Sequence, residues 1–477
     1  MAIIKATSAA PRPGEEEELP SRYLVGIDLG TTNSAITYCD THRENAALET
    51  FLIPQIVAPG QVEPRSTLPS FHYQAAEAVF PPDSLKLPWD KTSPTATVGT
   101  FARDHGTSVP GRMINSAKSW LSHSGVDRTA ALLPWHGSSD IEKLSPVEVS
   151  SRYLRHVREA WNHRFKQEPL EEQDIVLTLP ASFDEIAREL TVAAAKQAGL
   201  HRVVLIEEPQ AAFYDWLAKH AADWQQHVSP GQTILVCDIG GGTSDFTLIR
   251  ARAGEQNLVQ FHRVAVGEHL ILGGDNLDLA LAHHLEQKLS PNAKLPADRW
   301  SILVRRCRQI KEIFLGPNAP ESQTVSLPAV GARLIGGALQ CEVTRAEVQQ
   351  VLLEGFLPSV KLDERPDTRS SGFQEFGLPY APDAAMTRWL AWFLRSHHEV
   401  IEEEGRHKSG AVRPDLVLLN GGFFESPVLK QRLLDVLTGW FQAYDPTWKP
   451  ILLEMPISTW PCRVGRPTTA KFAAARA

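Results

Sequence analysis

At 477 residues and 43% hydrophobic content, the chain is long enough for two or three soluble domains with a large buried core. Its net charge of −8, with no basic stretch, disfavours a phosphate-neutralising surface for nucleic acid. No run of about 18 apolar residues is present to span a bilayer and no charged-then-apolar leader opens the chain, so the expected compartment is the cytoplasm, with no membrane partner.

In chain order, residues 1–21 hold Pro11, Pro13 and the acidic run Glu15 to Glu18, and read as a disordered tail. Ordered structure is expected from Tyr23, with the strand-turn-strand Tyr23-Leu-Val-Gly-Ile-Asp-Leu-Gly-Thr-Thr-Asn-Ser-Ala-Ile. An amphipathic stretch follows from Pro146 to Phe165. The opening pattern then returns as Thr233-Ile-Leu-Val-Cys-Asp-Ile-Gly-Gly-Gly-Thr-Ser-Asp-Phe. Asp238, Gly240 and Ser244 each lie 210 residues after Asp28, Gly30 and Ser34. Each copy reads as a β-hairpin with its acid at the end of the first strand, and two such hairpins imply two similar lobes of α/β class. Polar, Pro-rich stretches at 361–382 and 402–414 flank a helix-like segment with Trp389, Trp392 and Phe393, and all of this reads as surface insertion. Five cysteines, at 39, 237, 307, 341 and 462, are too scattered for a zinc site and read as reduced thiols.

Glycine-rich turns let backbone N–H groups approach phosphate oxygens, and threonine hydroxyls add donors. Gly30-Thr31-Thr32 and Gly240-Gly241-Gly242-Thr243 are therefore candidate phosphate cradles, each led by an acid. Facing each other across a cleft, Asp28 and Asp238 suit a Mg²⁺ held through water; the plainer alternative is that both acids cap turns.

Six motifs in order resemble the nucleotide-binding domain of the 70-kilodalton heat-shock (DnaK-type) chaperones, from Tyr23 to about Leu453. Asp28-Leu-Gly-Thr-Thr-Asn-Ser and Asp238-Ile-Gly-Gly-Gly-Thr-Ser-Asp look like the two phosphate loops. Leu179-Pro-Ala-Ser-Phe-Asp with Arg188, and Ile206-Glu-Glu-Pro-Gln-Ala-Ala, are similar to the connecting motifs. Leu272-Gly-Gly-Asp-Asn-Leu-Asp and the adenosine loop Leu418-Leu-Asn-Gly-Gly resemble the later signatures. The resemblance implies an actin-like ATPase fold of duplicated ribonuclease-H-like lobes: lobe I over 22–228 with a subdomain inserted at about 60–145, lobe II over 229–454 with insertions at about 272–344 and 361–414. It implies ATP/ADP and Mg²⁺ as ligands, with a co-chaperone or exchange factor as partner.

Residue roles follow from the same resemblance. Lys118 matches the catalytic lysine that positions the attacking water, although by spacing alone it is a solvated helix lysine. Glu208 matches the acid that orients the water and metal shell; by composition it is a helix-start acid before Pro209. Thr31 and Thr243 match hydroxyls near the γ-phosphate, and Asp245 an acid near the metal site. Thr32, Asn33, Gly273, Gly274, Asp275, Gly421 and Gly422 fall within the binding motifs, and Lys311 is placed to meet the ribose. Pro180 and Arg188 match residues that couple the lobes; unaided, they read as a strand terminator and a surface residue.

Two positions depart from the family. Where its members stack two arginines on the adenine, this chain has Glu312 and Glu425, and a carboxylate cannot replace a planar cation. Phe423 and Phe424 either supply an aromatic face for the base or pack in the core. Pro456, Pro461 and Pro467 forbid the closing helix expected near the C-terminus, and we read 455–477 as an aberrant segment, out of frame. On that reading client peptides are handled by a domain this chain lacks. The leading expectation is slow Mg²⁺-dependent ATP hydrolysis; the alternatives are a nucleotide sensor without turnover and a small-molecule kinase on the same fold.

Overall fold

A computed structural model of the chain describes residues 21–43, 47–253, 259–327, 339–368, 378, 380–400 and 407–454. The tail expected over 1–21, apart from Ser21, and the 455–477 segment lie outside the described residues.

Two mixed sheets carry the fold. In lobe I the main path runs Val203–Glu207, Asp174–Leu179, Tyr23–Leu29, Asn33–Asp40 and Glu49–Thr50, with Thr67–Pro69 pairing against the start of Asn33–Asp40. In lobe II it runs Ile451–Leu452, Leu416–Asn420, Thr233–Ile239, Ser244–Ala253 and Val259–Val266. Each central strand has a parallel neighbour on one side and an antiparallel hairpin partner on the other. The apolar central strands, Tyr-Leu-Val-Gly-Ile-Asp-Leu and Thr-Ile-Leu-Val-Cys-Asp-Ile, are buried almost throughout, as strands covered on both faces require. The sequence echo is kept in the register: Asp28 pairs with Ala35 and Leu29 with Ser34, while Asp238 pairs with Asp245 and Ile239 with Ser244.

Several helices begin at side-chain caps. Ser145 accepts from the Glu148 amide to start Pro146–Arg164, Asp184 from that of Ala187 to start Glu185–Gln197, and Ser426 from that of Leu429 to start Pro427–Gln442. Lobe I packs Val25, Ile27, Leu29, Tyr153 and Trp161 in one cluster. Lobe II packs Leu235, Cys237, Phe246, Leu281 and Phe314 in another.

The segment read as a surface insertion departs from that expectation. Helix Met386–Ser396 lies in the lobe II core, with Trp389, Leu390 and Phe393 buried. Its large buried apolar residues fall at positions 386, 389, 390, 393 and 394, the stripe of a core-facing helix. Leu378 reaches further and is buried, with Ile271 of lobe II, in the lobe I cluster. Among the described residues no helix is long and apolar enough to cross a membrane.

Candidate functional site

The two glycine-threonine turns approach each other closely. A Cβ on Gly242 would lie 2.7 Å from the Thr31 methyl, and one on Gly241 would run into the Thr32 hydroxyl. Glycine at 241 and 242 is what allows this approach. The lobe I turn is braced by Ser70, whose amide donates to the Thr32 carbonyl at 2.9 Å and whose hydroxyl donates to the Gly30 carbonyl at 2.7 Å. The lobe II turn is braced by Ser244, which donates to the Leu272 carbonyl at 2.6 Å, while the Gly240 amide donates to the Thr243 carbonyl at 2.9 Å. Gly421, with φ of 92°, comes so close that a Cβ would strike the Ile239 carbonyl, and so brings the Gly422–Glu425 turn against the second glycine turn.

Each leading acid is held by the parallel strand beside it. Thr178 donates to Asp28 Oδ1 at 2.6 Å, and Asn420 donates to Asp238 Oδ1 at 2.6 Å. Thr178 and Asn420 hold the same register position in their sheets, opposite Asp28 and Asp238. One carboxylate from each lobe beside two glycine turns is a donor set suited to a hydrated Mg²⁺ and phosphate, since Mg²⁺ retains waters and takes few protein oxygens. The Thr32 hydroxyl oxygen, buried between the turns with no hydrogen-bond partner, is the kind of group a phosphate oxygen would satisfy.

Lys118 is buried in the short helix Ala117–Leu121, and its Nζ lies 2.5 Å from Glu208 Oε1. That burial removes the solvated-lysine alternative. Glu208 opens helix Glu208–Lys219 with Pro209 beside it, as the Glu-Pro pair predicts. Asp245 is buried and engaged by lobe I: the Ser182 hydroxyl donates to its Oδ1, while His269 Nδ1 lies 2.9 Å from Ser182 Oγ and 3.3 Å from Asp245 Oδ1. Both contacts use the same ring nitrogen, which rules out a serine-hydrolase relay, where the histidine engages serine and acid through opposite nitrogens.

Arg188 is half-buried and tied to the segment after Pro180. Its Nε donates to the Phe183 carbonyl at 3.2 Å and its Nη2 to Glu207 Oε1 at 2.7 Å. The same Glu207 oxygen takes Arg263 of lobe II, so Arg188, Glu207 and Arg263 form an ion network across the lobes. Asp184, at the end of this segment, pairs with Arg128 through two bonds of 2.8 Å, and the guanidinium holds its carboxyl below the usual range.

At the other end of the site, Lys311 Nζ donates to the Gly274 carbonyl at 2.7 Å and pairs with Asp278 at 2.7 Å. Burial pushes the Asp278 carboxyl up. Glu312 is exposed and lines a groove with Gln323 and Thr324, and Glu425 is exposed on its turn. Phe423 and Phe424 are both buried in the lobe II cluster, where the core-packing alternative puts them. Sequence reasoning assigned no role to Thr178, Ser182, Glu207, Arg263, His269, Arg308 or Asn420; of these Ser182, Glu207 and Asn420 carried a signal, sitting inside motifs already singled out.

The geometry agrees with the comparisons to known proteins. The model of the Hsp70 protein family matches residues 24–362. The chain is 30% identical over 344 residues to the chaperone protein HscA homolog of Bordetella petrii, covering 71% of this chain and 48% of that protein. It is 32% identical over 431 residues to the HscA homolog of Pseudomonas fluorescens, covering 87% and 60%, and 33% identical over 280 residues to the chaperone protein HscA of Serratia proteamaculans, covering 56% and 38%. The chain thus spans about half the length of the curated relatives it matches. With its two duplicated lobes arranged in the actin-like fold, the chain belongs to the Hsp70 family.

Proposed function

We propose that this chain binds Mg-ATP between its lobes and hydrolyses it slowly, as the nucleotide-binding module of a 70-kilodalton heat-shock-type chaperone. The observation that carries the reading is the meeting of two Asp-led glycine turns, one from each lobe and in one register, within a fold that also brings Lys118 to Glu208. Backbone amides of Gly241 and Gly242 and the hydroxyls of Thr31, Thr32 and Thr243 bind phosphate oxygens. Mg²⁺ supplies charge neutralisation on the phosphates, and Asp28 and Asp238 are the residues that would hold it, through water. Lys118 orients water at the terminal phosphate and offsets charge there, while Glu208 fixes the lysine head group by its ion pair.

Arg188 and the segment after Pro180 carry the state of the cleft to Glu207 and, through Arg263, to lobe II. A co-chaperone or exchange factor acts on this module in the cytoplasm, and client peptides are taken up by a domain outside it. The test is phosphate release from Mg-ATP by the wild-type chain, Lys118→Ala and Asp238→Ala. Slow release that both substitutions abolish supports the reading; release unaffected by either overturns it. A second reading, a sensor that binds without turnover, is favoured by the burial of Phe423 and Phe424 and by the glutamates at 312 and 425, and predicts nucleotide binding with no phosphate release.

A further inference from the structure

We propose that Arg308 prepares the second phosphate turn for an anion by neutralising Asp275 at the lip of that turn. This rests on the phosphate-binding reading of the turns.

Asp275 is bound to the turn by its backbone. Its amide donates to the Gly241 carbonyl at 2.6 Å, and the preceding Gly274 amide donates to the Gly240 carbonyl at 3.0 Å. Its Oδ1 stands 3.3 Å from the point a Cβ on Gly241 would occupy, on the side where the buried Thr32 hydroxyl lacks a partner. A bare carboxylate at that place repels phosphate. Arg308 answers it: Nη2 lies 2.5 Å from Asp275 Oδ1, and Nε lies 2.9 Å from Asp278 Oδ2.

Asp278 does not need Arg308 for its charge, because Lys311 already pairs with it at 2.7 Å. Asp275 does: among the described residues, Arg308 is the cationic side chain paired with it. The two acids and two cations therefore balance before any ligand arrives. A planar guanidinium offers each carboxylate its own nitrogen in a fixed geometry, Nη2 to Asp275 and Nε to Asp278, which the single nitrogen of an ammonium does not. Arg308 also stands one helical turn before Glu312, so it places a guanidinium on this helix where Glu312 does not.

Arg308 is on this account a positioning residue, and the test separates charge from structure. The full chain is titrated with Mg-ADP and, separately, with inorganic pyrophosphate, as wild type, Arg308→Ala, Asp275→Asn and the double variant. Arg308→Ala is expected to weaken both ligands by about tenfold or more. Adding Asp275→Asn to it restores most of the loss, because the repelling charge has gone; Asp275→Asn alone binds pyrophosphate more tightly than wild type. Unchanged pyrophosphate binding by Arg308→Ala, a double variant as weak as the single one, or weaker binding by Asp275→Asn alone each overturns the proposal. Pyrophosphate binding without Mg-ADP binding overturns the nucleotide reading while Arg308 is still judged on pyrophosphate. Wild-type protein that binds neither overturns both.

Discussion

The two sheets share strand order and register, yet they are covered differently. In lobe II both faces are well packed: Leu235, Cys237 and Ile239 face the large cluster, while Ile234, Val236, Leu416 and Leu418 lie against Phe213 and Trp216 of helix Glu208–Lys219. That helix continues from the last strand of lobe I. In lobe I, Val25, Ile27 and Leu29 face the large cluster, but among the described residues the opposite face carries the small cluster of Leu24, Cys39 and Val176, with Leu48 and Ile206 half-buried. At its edge Val204 is 49% exposed. Duplication therefore governs the turns and their acids, while the backing of each sheet is particular to its lobe. The residue that holds Lys118 begins the helix that backs lobe II, so the lobe I half of the site is mechanically joined to the lobe II sheet.

That asymmetry is testable by substitution. Trp216→Ala leaves a cavity under the lobe II sheet and is expected to cost about 3–5 kcal/mol, against about 2 kcal/mol for Leu24→Ala on the matching lobe I face. Denaturant unfolding measures both, and equal costs would break the comparison.

A second contrast is in pH dependence. Lobe I buries two histidines that burial holds neutral: His72, beside Arg152, is lowered to about 3, and His156, bonded to the Pro54 carbonyl, to about 4, from an ordinary 6.5. The unfolded chain takes up protons at these sites below pH 6.5 and the folded chain does not, so stability falls as pH drops from 6.5 towards 4. The slope is roughly 1 kcal/mol per pH unit for each histidine. Thermal melts of His72→Gln and His156→Gln should show it flattened, and an unchanged slope would place the protons elsewhere.

The shared part of the lobes makes the opposite demand. Asp28→Asn and Asp238→Asn should lower Mg-dependent hydrolysis to similar degrees, about 100-fold or ~2.7 kcal/mol each, because both acids hold one register position. A tenfold difference between them would show the lobes to be chemically unequal. The smallest effect is expected at the lobe interface, where Arg263→Ala removes a half-exposed partner of Glu207 and should cost about 1 kcal/mol or less by denaturant unfolding.

The turns and their acids were legible because their geometry is local: a Gly240 amide closing on Thr243, or a Gly30 packed close to Asn33, is written in consecutive residues. Their repetition made two lobes legible as well. The partners of the acids were not, since Thr178 is 150 residues from Asp28 and Asn420 is 182 from Asp238, and only sheet assembly brings them together. Family resemblance, rather than spacing, singled out Lys118 and Glu208, 90 residues apart. Helix Met386–Ser396 was legible in principle: polar, Pro-rich flanks suggested a surface insertion, while the stripe of Met386, Trp389, Leu390, Phe393 and Leu394 marked a core helix. Arg308 left no mark, because its role depends on where Asp275 lies across two helices.

The most direct test of the nucleotide-binding account is a calorimetric titration of the purified chain with Mg-ATP. The account predicts a binding isotherm followed by slow residual heat of hydrolysis, with the slow heat lost in Asp238→Ala. Absence of any binding would contradict it, leaving a chain that keeps the Hsp70 fold without the chemistry proposed for its cleft.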